Sequence, residues 1–196
     1  MSSSYRLLSV LVENHPGVLN KVSSTIRRRG MNITSLAVGE TDDVSVSRMT
    51  IAIDVGRAAA DQAVKQLYKL IEVIKISDIT EDPIVDRELL LAKVACSRGD
   101  RSELLQVVDI FQARIADVSV DTVVLEMSGS EDQVDTFMEM IRPFGIKEVA
   151  RSGTVAMARG REGLRLSSRH RGRANAQLDL DAAEQRRRSS GVLVGD

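Results

Sequence analysis

The sequence predicts an α+β protein made of two tandem βαββαβ units followed by a flexible C-terminal tail. Three observations carry this. Period-two and helical hydrophobic spacings follow one another in the order strand, helix, strand, strand, helix, strand, and that order runs twice. A polar, proline-containing stretch, Thr80-Glu81-Asp82-Pro83, separates the two runs. From Arg161 onward both periodicities vanish into Gly, Ser, Arg, Ala and Gln.

In the first unit, Arg6 to Glu13 alternates well enough to be a strand with one well-buried face, and Asn14 to Gly17 breaks it. A helix follows at once. Pro16 suits a first helical position, Leu19, Val22 and Ile26 recur at helical spacing, Arg27-Arg28-Arg29 complements the C-terminal end of the dipole, and Gly30 supplies the stop. Asn32 to Gly39 and Ser47 to Val55 read as the next two strands. Met49, Ile51 and Ile53 alternate with Arg48, Thr50 and Asp54, which predicts a sheet with one face toward solvent or a partner. Ala58 to Leu70 places Ala60, Ala63, Val64, Leu67 and Leu70 on one stripe, and Glu72 to Ile79 closes the unit.

The second unit starts with a strand at Glu88 to Ser97. Asp100 and Glu103 have capping-box spacing and open a helix that runs to about Gln112 with Leu104, Val108 and Phe111 inward. Strands follow at Arg114 to Val120 and Thr122 to Ser128. A second capping box, Ser130 to Gln133, opens a helix bearing Val134, Phe137, Met138 and Ile141, which Pro143 and Gly145 end, and Ile146 to Met157 is the last strand. The domains are therefore expected at 5–80 and 86–160, with the tail at 161–196. Each is a split βαβ unit, four antiparallel strands with both helices on one face, so the fold class is α+β with two tandem ferredoxin-like domains. The bare face or edge strand of such a domain is usually covered by a second copy, which predicts a homo-oligomer.

Function classes can be excluded from composition. A formal net charge of −1 argues against gripping nucleic acid through its phosphates. The tail carries eight arginines against five acids, Arg186-Arg187-Arg188 among them, which makes an RNA-binding arm only a minor alternative. RNA-recognition modules of the same strand order stack bases on aromatics of their first and third strands, and Arg6 to Glu13 and Ser47 to Val55 contain none. Cys96 is the sole cysteine and sits in an apolar run, which removes disulfides, multi-cysteine metal sites and a metallochaperone thiol pair. Of the two histidines, His170 falls in the tail and leaves His15 without a catalytic companion. No glycine-rich phosphate loop is present, and the acidic pairs Asp42-Asp43 and Glu131-Asp132 fit a turn and a helix start. No catalytic residue and no metal site are therefore expected. The N-terminus carries no signal-like pattern and no apolar run is long enough to span a bilayer, which predicts a cytoplasmic protein without membrane contact.

What remains is the loop Asn14-His15-Pro16-Gly17. It delivers the chain into a helix N-terminus whose amides favour a carboxylate. Gly17 leaves room for close approach, Asn14 offers a donor and an acceptor, and Val18 and Leu19 add apolar surface, a combination that suits a small amino acid. The same residues also fit a plain helix cap and turn, and spacing does not choose between the two. The equivalent loop of the second unit, Ser97-Arg98-Gly99-Asp100, carries an acid that would repel a carboxylate, so that unit is assigned to partner contact.

The run Ser9-Val10-Leu11-Val12-Glu13-Asn14-His15-Pro16-Gly17-Val18-Leu19 resembles the opening of an ACT domain. Arg29-Gly30-Met31-Asn32-Ile33, Ser47-Arg48-Met49-Thr50-Ile51, Gln66-Leu67-Tyr68-Lys69-Leu70 and Val149-Ala150-Arg151-Ser152-Gly153 resemble the regulatory small subunits of acetolactate synthase, a likeness that spans Tyr5 to about Gly160. The resemblance implies a non-catalytic subunit that activates a large catalytic subunit in branched-chain amino acid biosynthesis and confers feedback inhibition by valine. It implies that thiamine diphosphate, Mg and FAD belong to the large subunit. Consistently, this chain lacks the Gly-Asp-Gly and Asn-Asn elements that hold magnesium and thiamine diphosphate in such enzymes. It also implies a small-subunit homodimer with valine or another branched-chain amino acid between two ACT domains, held by Asn14, Gly17, Val18 and Leu19 of one protomer and Asn32 and Ile33 of the other. The competing expectation is a stand-alone ACT-domain sensor that controls another enzyme or a transcription factor.

Overall fold

A computed structural model of the chain describes residues 5–97 and 99–160; the tail, with His170 and Arg186 to Arg188, lies outside the described residues. The first sheet is built from β1 (Tyr5–Glu13), β2 (Ile33–Glu40), β3 (Val46–Asp54) and β4 (Val73–Asp78) in the order β2-β3-β1-β4, with α1 (Val18–Arg27) and α2 (Arg57–Leu67) as the two connections. The second is built from β5 (Ile84–Ala95), β6 (Arg114–Val118), β7 (Thr122–Gly129) and β8 (Ile146–Arg151) in the order β6-β7-β5-β8, connected by α3 (Arg101–Ile110) and α4 (Glu131–Ile141). The two orders are the same, so the repeat seen in the sequence is a repeat of topology. A further strand, β9 (Val155–Ala158), pairs with the first part of β5.

In the first unit β1 lies between β3 and β4 with its central residues fully buried. Leu8, Val10 and Val12 lie beside Ile51, Met49 and Ser47 across the pair, and none is more than 6 % exposed. The helices turn Val18, Val22 and Ile26 of α1 and Ala60, Ala63 and Leu67 of α2 inward. The sequence predicted one open face for this sheet, and here the structure corrects it. The alternate residues Leu7, Ser9 and Leu11, beside Ala52 and Thr50, are also buried within the single chain, so β1 and β3 are shielded on both faces. Their nearly continuous run of apolar and small side chains is the pattern a strand buried on both faces requires.

The second unit keeps the simple alternation. Leu90, Ala92 and Val94 of β5 and Val123, Leu125 and Met127 of β7 form one core with Leu104, Val107 and Val108 of α3 and Val134, Phe137 and Ile141 of α4. Phe137 is fully buried and meets Phe111 at a ring separation of 5.3 Å, tilted by 55°, a favourable edge-inclined contact.

Three local expectations change. Pro16 is not helical, because α1 begins at Val18 after Gly17 has reversed the chain at φ +90°. The Asp100 to Glu103 capping box does not form. Asp100 already has helical dihedrals (φ −86°, ψ −11°), no side chain caps the helix, and its carboxylate accepts instead from Ser97 Oγ at 2.6 Å. The Ser130 to Gln133 box does form, with Ser130 extended at ψ 164° so that its hydroxyl oxygen faces the Gln133 amide. Finally, the last strand divides into β8 and β9 at Ser152 to Thr154, where Gly153 takes φ +76°.

The second unit is also held by a polar lock. Glu88 is 5 % exposed, and Arg151 of β8 grips its carboxylate with two bonds of 2.8 and 2.7 Å while donating to Asp135 of α4 at 2.8 Å. These carboxylates hold the Arg151 guanidinium charged well above its ordinary range. Replacing Arg151 by Met strands a buried carboxylate and is expected to lower stability by roughly 2–3 kcal/mol. Replacing Glu88 by Leu in the same chain should recover most of that loss, as read from denaturant midpoints of the two variants.

Candidate functional site

The loop between β1 and α1 is shaped by hydrogen bonds to its surroundings rather than by a cap on the helix. The Asn14 amide donates to the Ser45 carbonyl at 2.7 Å, and its side-chain nitrogen donates to Glu40 Oε1 at 3.1 Å and to the Val44 carbonyl at 2.8 Å. Asn14 therefore ties the loop to the β2 to β3 connection, and both of its side-chain hydrogens are used there. No side chain caps α1, and its first turn contains no acid. The Val18 amide turns back to the His15 carbonyl at 3.4 Å, which leaves the Gly17 and Leu19 amides to open the helix beside a glycine whose added Cβ would meet nothing within 4 Å. This is open, electropositive backbone, the chemistry that suits a carboxylate.

The surrounding charges are paired. His15 Nε2 lies 3.4 Å from Glu13 Oε2, with both side chains half exposed. Lys21 of α1 reaches Glu72, whose side chain is 10 % exposed at the start of β4. The Lys21 hydrogen bond, seconded by the Glu72 backbone amide, holds the Glu72 carboxyl below the usual carboxylate range. The Glu13 amide also donates to the Glu72 carbonyl at 2.9 Å, so one residue anchors both the end of β1 and the first part of α1.

The residues that the sequence singled out fall into two groups. Asn14, Gly17, Val18 and Leu19 gather at the N-terminus of α1, where Leu19 is 44 % exposed while Val18 turns its side chain into the core and leaves only its amide toward the loop. Asn32 and Ile33 lie elsewhere, at the start of β2. They line a groove of about 450 Å³ together with Asn20, Ser23, Ser24, Arg27 and Met31. Gly17 and Arg27 stand at opposite ends of α1, about 15 Å apart at 1.5 Å per residue. Sequence reading passed over the helical members of the groove. Their signal is a polar stripe at positions 20, 23, 24 and 27, the i, i+3, i+4, i+7 spacing of one helix face, opposite the apolar stripe of Val18, Val22 and Ile26.

Among the described residues no cluster of His, Cys, Asp or Glu could hold a metal ion, and no helix is long and apolar enough to cross a membrane.

Comparison with known proteins places this arrangement. Residues 8–75 match the family described as "AHAS small subunit-like ACT domain" and residues 87–160 the family described as "Small subunit of acetolactate synthase". The chain is 50 % identical over 153 residues to the probable acetolactate synthase small subunit of Archaeoglobus fulgidus, covering 78 % of this chain and 96 % of that one. The chain belongs to the acetolactate synthase small subunit family. The Mycolicibacterium smegmatis small subunit is 45 % identical over 157 residues, covering 80 % of this chain and 92 % of that protein. The crystal structure of the small subunit from Thermotoga maritima superposes with a TM-score of 0.74 at 37 % identity, covering 81 % of this chain and 99 % of that one. The loop after β1 is thus the first loop of an ACT domain, and both family matches stop before the tail.

One consequence concerns the Lys21 and Glu72 pair. A carboxyl held low in the folded state adds stability that is complete above its unfolded pKa and is lost as the pH falls through the folded value. Glu72→Gln is therefore expected to cost about 1 kcal/mol near neutrality, given that half of the Lys21 side chain is in water. The gap between variant and parent should close as the pH is lowered below about 4. Parallel thermal melts across pH 3 to 7 check this, and a gap that does not narrow at all as the pH falls over that range would contradict it.

Proposed function

We propose that the chain is the regulatory partner of a thiamine-diphosphate-dependent catalytic large subunit, which it activates and renders sensitive to valine in branched-chain amino acid biosynthesis. The observation that carries this reading is family membership at 45–50 % identity across about four fifths of the chain. The geometry of α1 supports the feedback half. The bare N-terminus at Gly17 lies at one end of α1, and the groove runs from Asn20 along the helix to Asn32 and Ile33 at the start of β2. On this reading the effector meets the helix N-terminus of one chain and Asn32 and Ile33 of another, which is the homodimer proposed here.

In that arrangement the amides of Gly17 and Leu19 receive the effector carboxylate. Because both Asn14 hydrogens are held by Glu40 and Val44, its carbonyl oxygen is the atom left for the effector ammonium. Asn32 of the second chain completes the polar end and Ile33 borders the branched side chain. Valine, or another branched-chain amino acid, then acts by binding one arrangement of the two ACT domains more tightly than another, and about 1–3 kcal/mol of such preference suffices for feedback. Catalysis and its cofactors, thiamine diphosphate, Mg and FAD, belong in this reading to the large subunit.

The test is reconstitution. Adding the purified chain to a candidate large subunit with pyruvate, thiamine diphosphate, FAD and magnesium should raise acetolactate production, and valine should suppress that gain. Failure to activate, with valine still bound by the chain, would replace this reading by that of a stand-alone ACT-domain sensor. The site has its own test in Gly17→Asp compared with Gly17→Asn, since both residues tolerate positive φ and only Asp adds a negative charge. Gly17→Asp should weaken valine binding more than tenfold relative to Gly17→Asn while leaving activation intact. Calorimetry that finds equal affinities for the two variants would refute the assignment.

A further inference from the structure

The loop between β1 and α1 carries a ring whose two nitrogens both face oxygen. His15 Nδ1 lies 3.2 Å from the Pro16 carbonyl oxygen, and Nε2 lies 3.4 Å from Glu13 Oε2. A carbonyl and a carboxylate only accept, so each nitrogen needs a hydrogen of its own. Neutral imidazole has a single N–H. It satisfies one of these contacts and turns a lone pair toward the other oxygen, whereas the imidazolium satisfies both.

The charges around the ring favour the same state. Glu13 faces it from the end of β1, and Glu72, the residue before β4, interacts with it through space. Lys21 of α1 is the cation on this side, and Glu72 already engages it. Toward the β2 to β3 connection, Asn14 holds Glu40, the last residue of β2. Three carboxylates therefore surround the loop against one ammonium, at the very helix start that is to receive a further carboxylate. With His15 neutral this surround repels an acid, and a protonated His15 supplies the second cation. Between about pH 6 and 8 a free amino acid keeps both of its charges, and histidine is the side chain whose ordinary titration falls in that interval. We propose that His15 is the proton-linked charge of the effector site: its imidazolium draws the effector carboxylate to the Gly17 amide, so binding takes up a proton and strengthens as the pH falls. This inference rests on the effector reading given above and adds to it the way that site is tuned.

Valine titrated calorimetrically into the full-length chain at pH 6, 7 and 8, at constant ionic strength and in two buffers of different ionisation enthalpy, tests it. Affinity should fall about three- to tenfold from pH 6 to 8, the worth of one unit charge near the ligand in well-solvated surroundings. At pH 7 the apparent enthalpy should differ between the buffers in the sense of proton uptake. His15→Gln should bind at the parent's pH 8 level throughout, within twofold, and His15→Lys should keep its affinity up to pH 8. Glu13→Gln removes the oxygen that faces Nε2 and should move the parent's fall to lower pH. His170 is unchanged in all of these chains, so the comparison isolates His15. A merely structural His15 would alter the level of binding but not its slope with pH. A parent affinity that stays level from pH 6 to 8, or the same slope retained in His15→Gln, would overturn the proton linkage and leave the effector site standing. Absence of valine binding by the parent at every pH would instead remove the effector reading, and this inference with it.

Discussion

A βαββαβ sheet has two faces and only two helices, both on the same face, and the rest of this molecule depends on how each unit deals with the face left over. The units share one strand order, yet they answer differently. The first buries Leu7, Ser9, Leu11, Thr50 and Ala52 on that side within the chain, small and medium side chains that admit close packing. The second places Leu89, Leu91 and the Val85 to Met157 row there, in contact with water. A buried Leu or Val contributes about 1.5–3 kcal/mol relative to an exposed one, so a stripe of such residues holds more unspent driving force than one ordinary ion pair could supply.

The same division separates the roles of the two first loops. In the first unit the chain leaves β1 through Gly17 at φ +90°, so the helix begins abruptly, with no cap and no acid in its first turn. In the second unit the helix is entered through Asp100, whose carboxylate accepts from Ser97 without capping the helix, and Glu103 adds a second acid in the first turn. Two topologically equivalent helix starts thus carry opposite electrostatics. Only the first suits an anionic guest, because the acids Asp100 and Glu103 at the second would repel one.

Much of this was legible in the sequence because period and punctuation are local. The strand order, the two repeats, the Ser130 capping box and most of the inward helical positions follow from spacing alone, since a helical face repeats every 3.6 residues and a strand face every two, although Leu19, read with Val22 and Ile26, is 44 % exposed and Val18 takes the inward place. Where reading failed, the missing information was tertiary. Arg48, Thr50 and Asp54 look like a solvent face beside Met49, Ile51 and Ile53, yet Thr50 is 3 % exposed, because local alternation cannot report what comes to rest on the other side. Asp100 and Glu103 have the right spacing for a capping box, but spacing does not set the ψ of Asp100, and at −11° its side chain cannot turn back to the helix. The groove on α1 escaped notice because serines and asparagines on a helix face ordinarily signify only solvent. Arg151 was visible as part of a family-like motif, but its grip on buried Glu88 joins residues 63 positions apart. Asn14 shows the subtler failure: the residue was correctly marked as special, while the partners that orient it, Glu40 and Val44, lie some thirty residues away.

Those partners bear on how a small effector could control a large complex. A ligand shifts an equilibrium only by the difference between its affinities for the two states, so a site contained within one rigid domain would bind tightly and change nothing. In this chain the groups suited to a carboxylate open α1 at Gly17, while Asn32 and Ile33 lie at the start of β2, and on the proposed reading the effector meets these two sets on different chains. Such an effector spans a junction between chains, and its affinity then varies with how the chains are set against each other. On the proposed reading this separation is what turns an ordinary anion-binding helix start into a sensor. One methylene in the apolar part of such a site is worth only about 1–3 kcal/mol, so discrimination among valine, leucine and isoleucine is modest by comparison with the geometric demand that two chains meet.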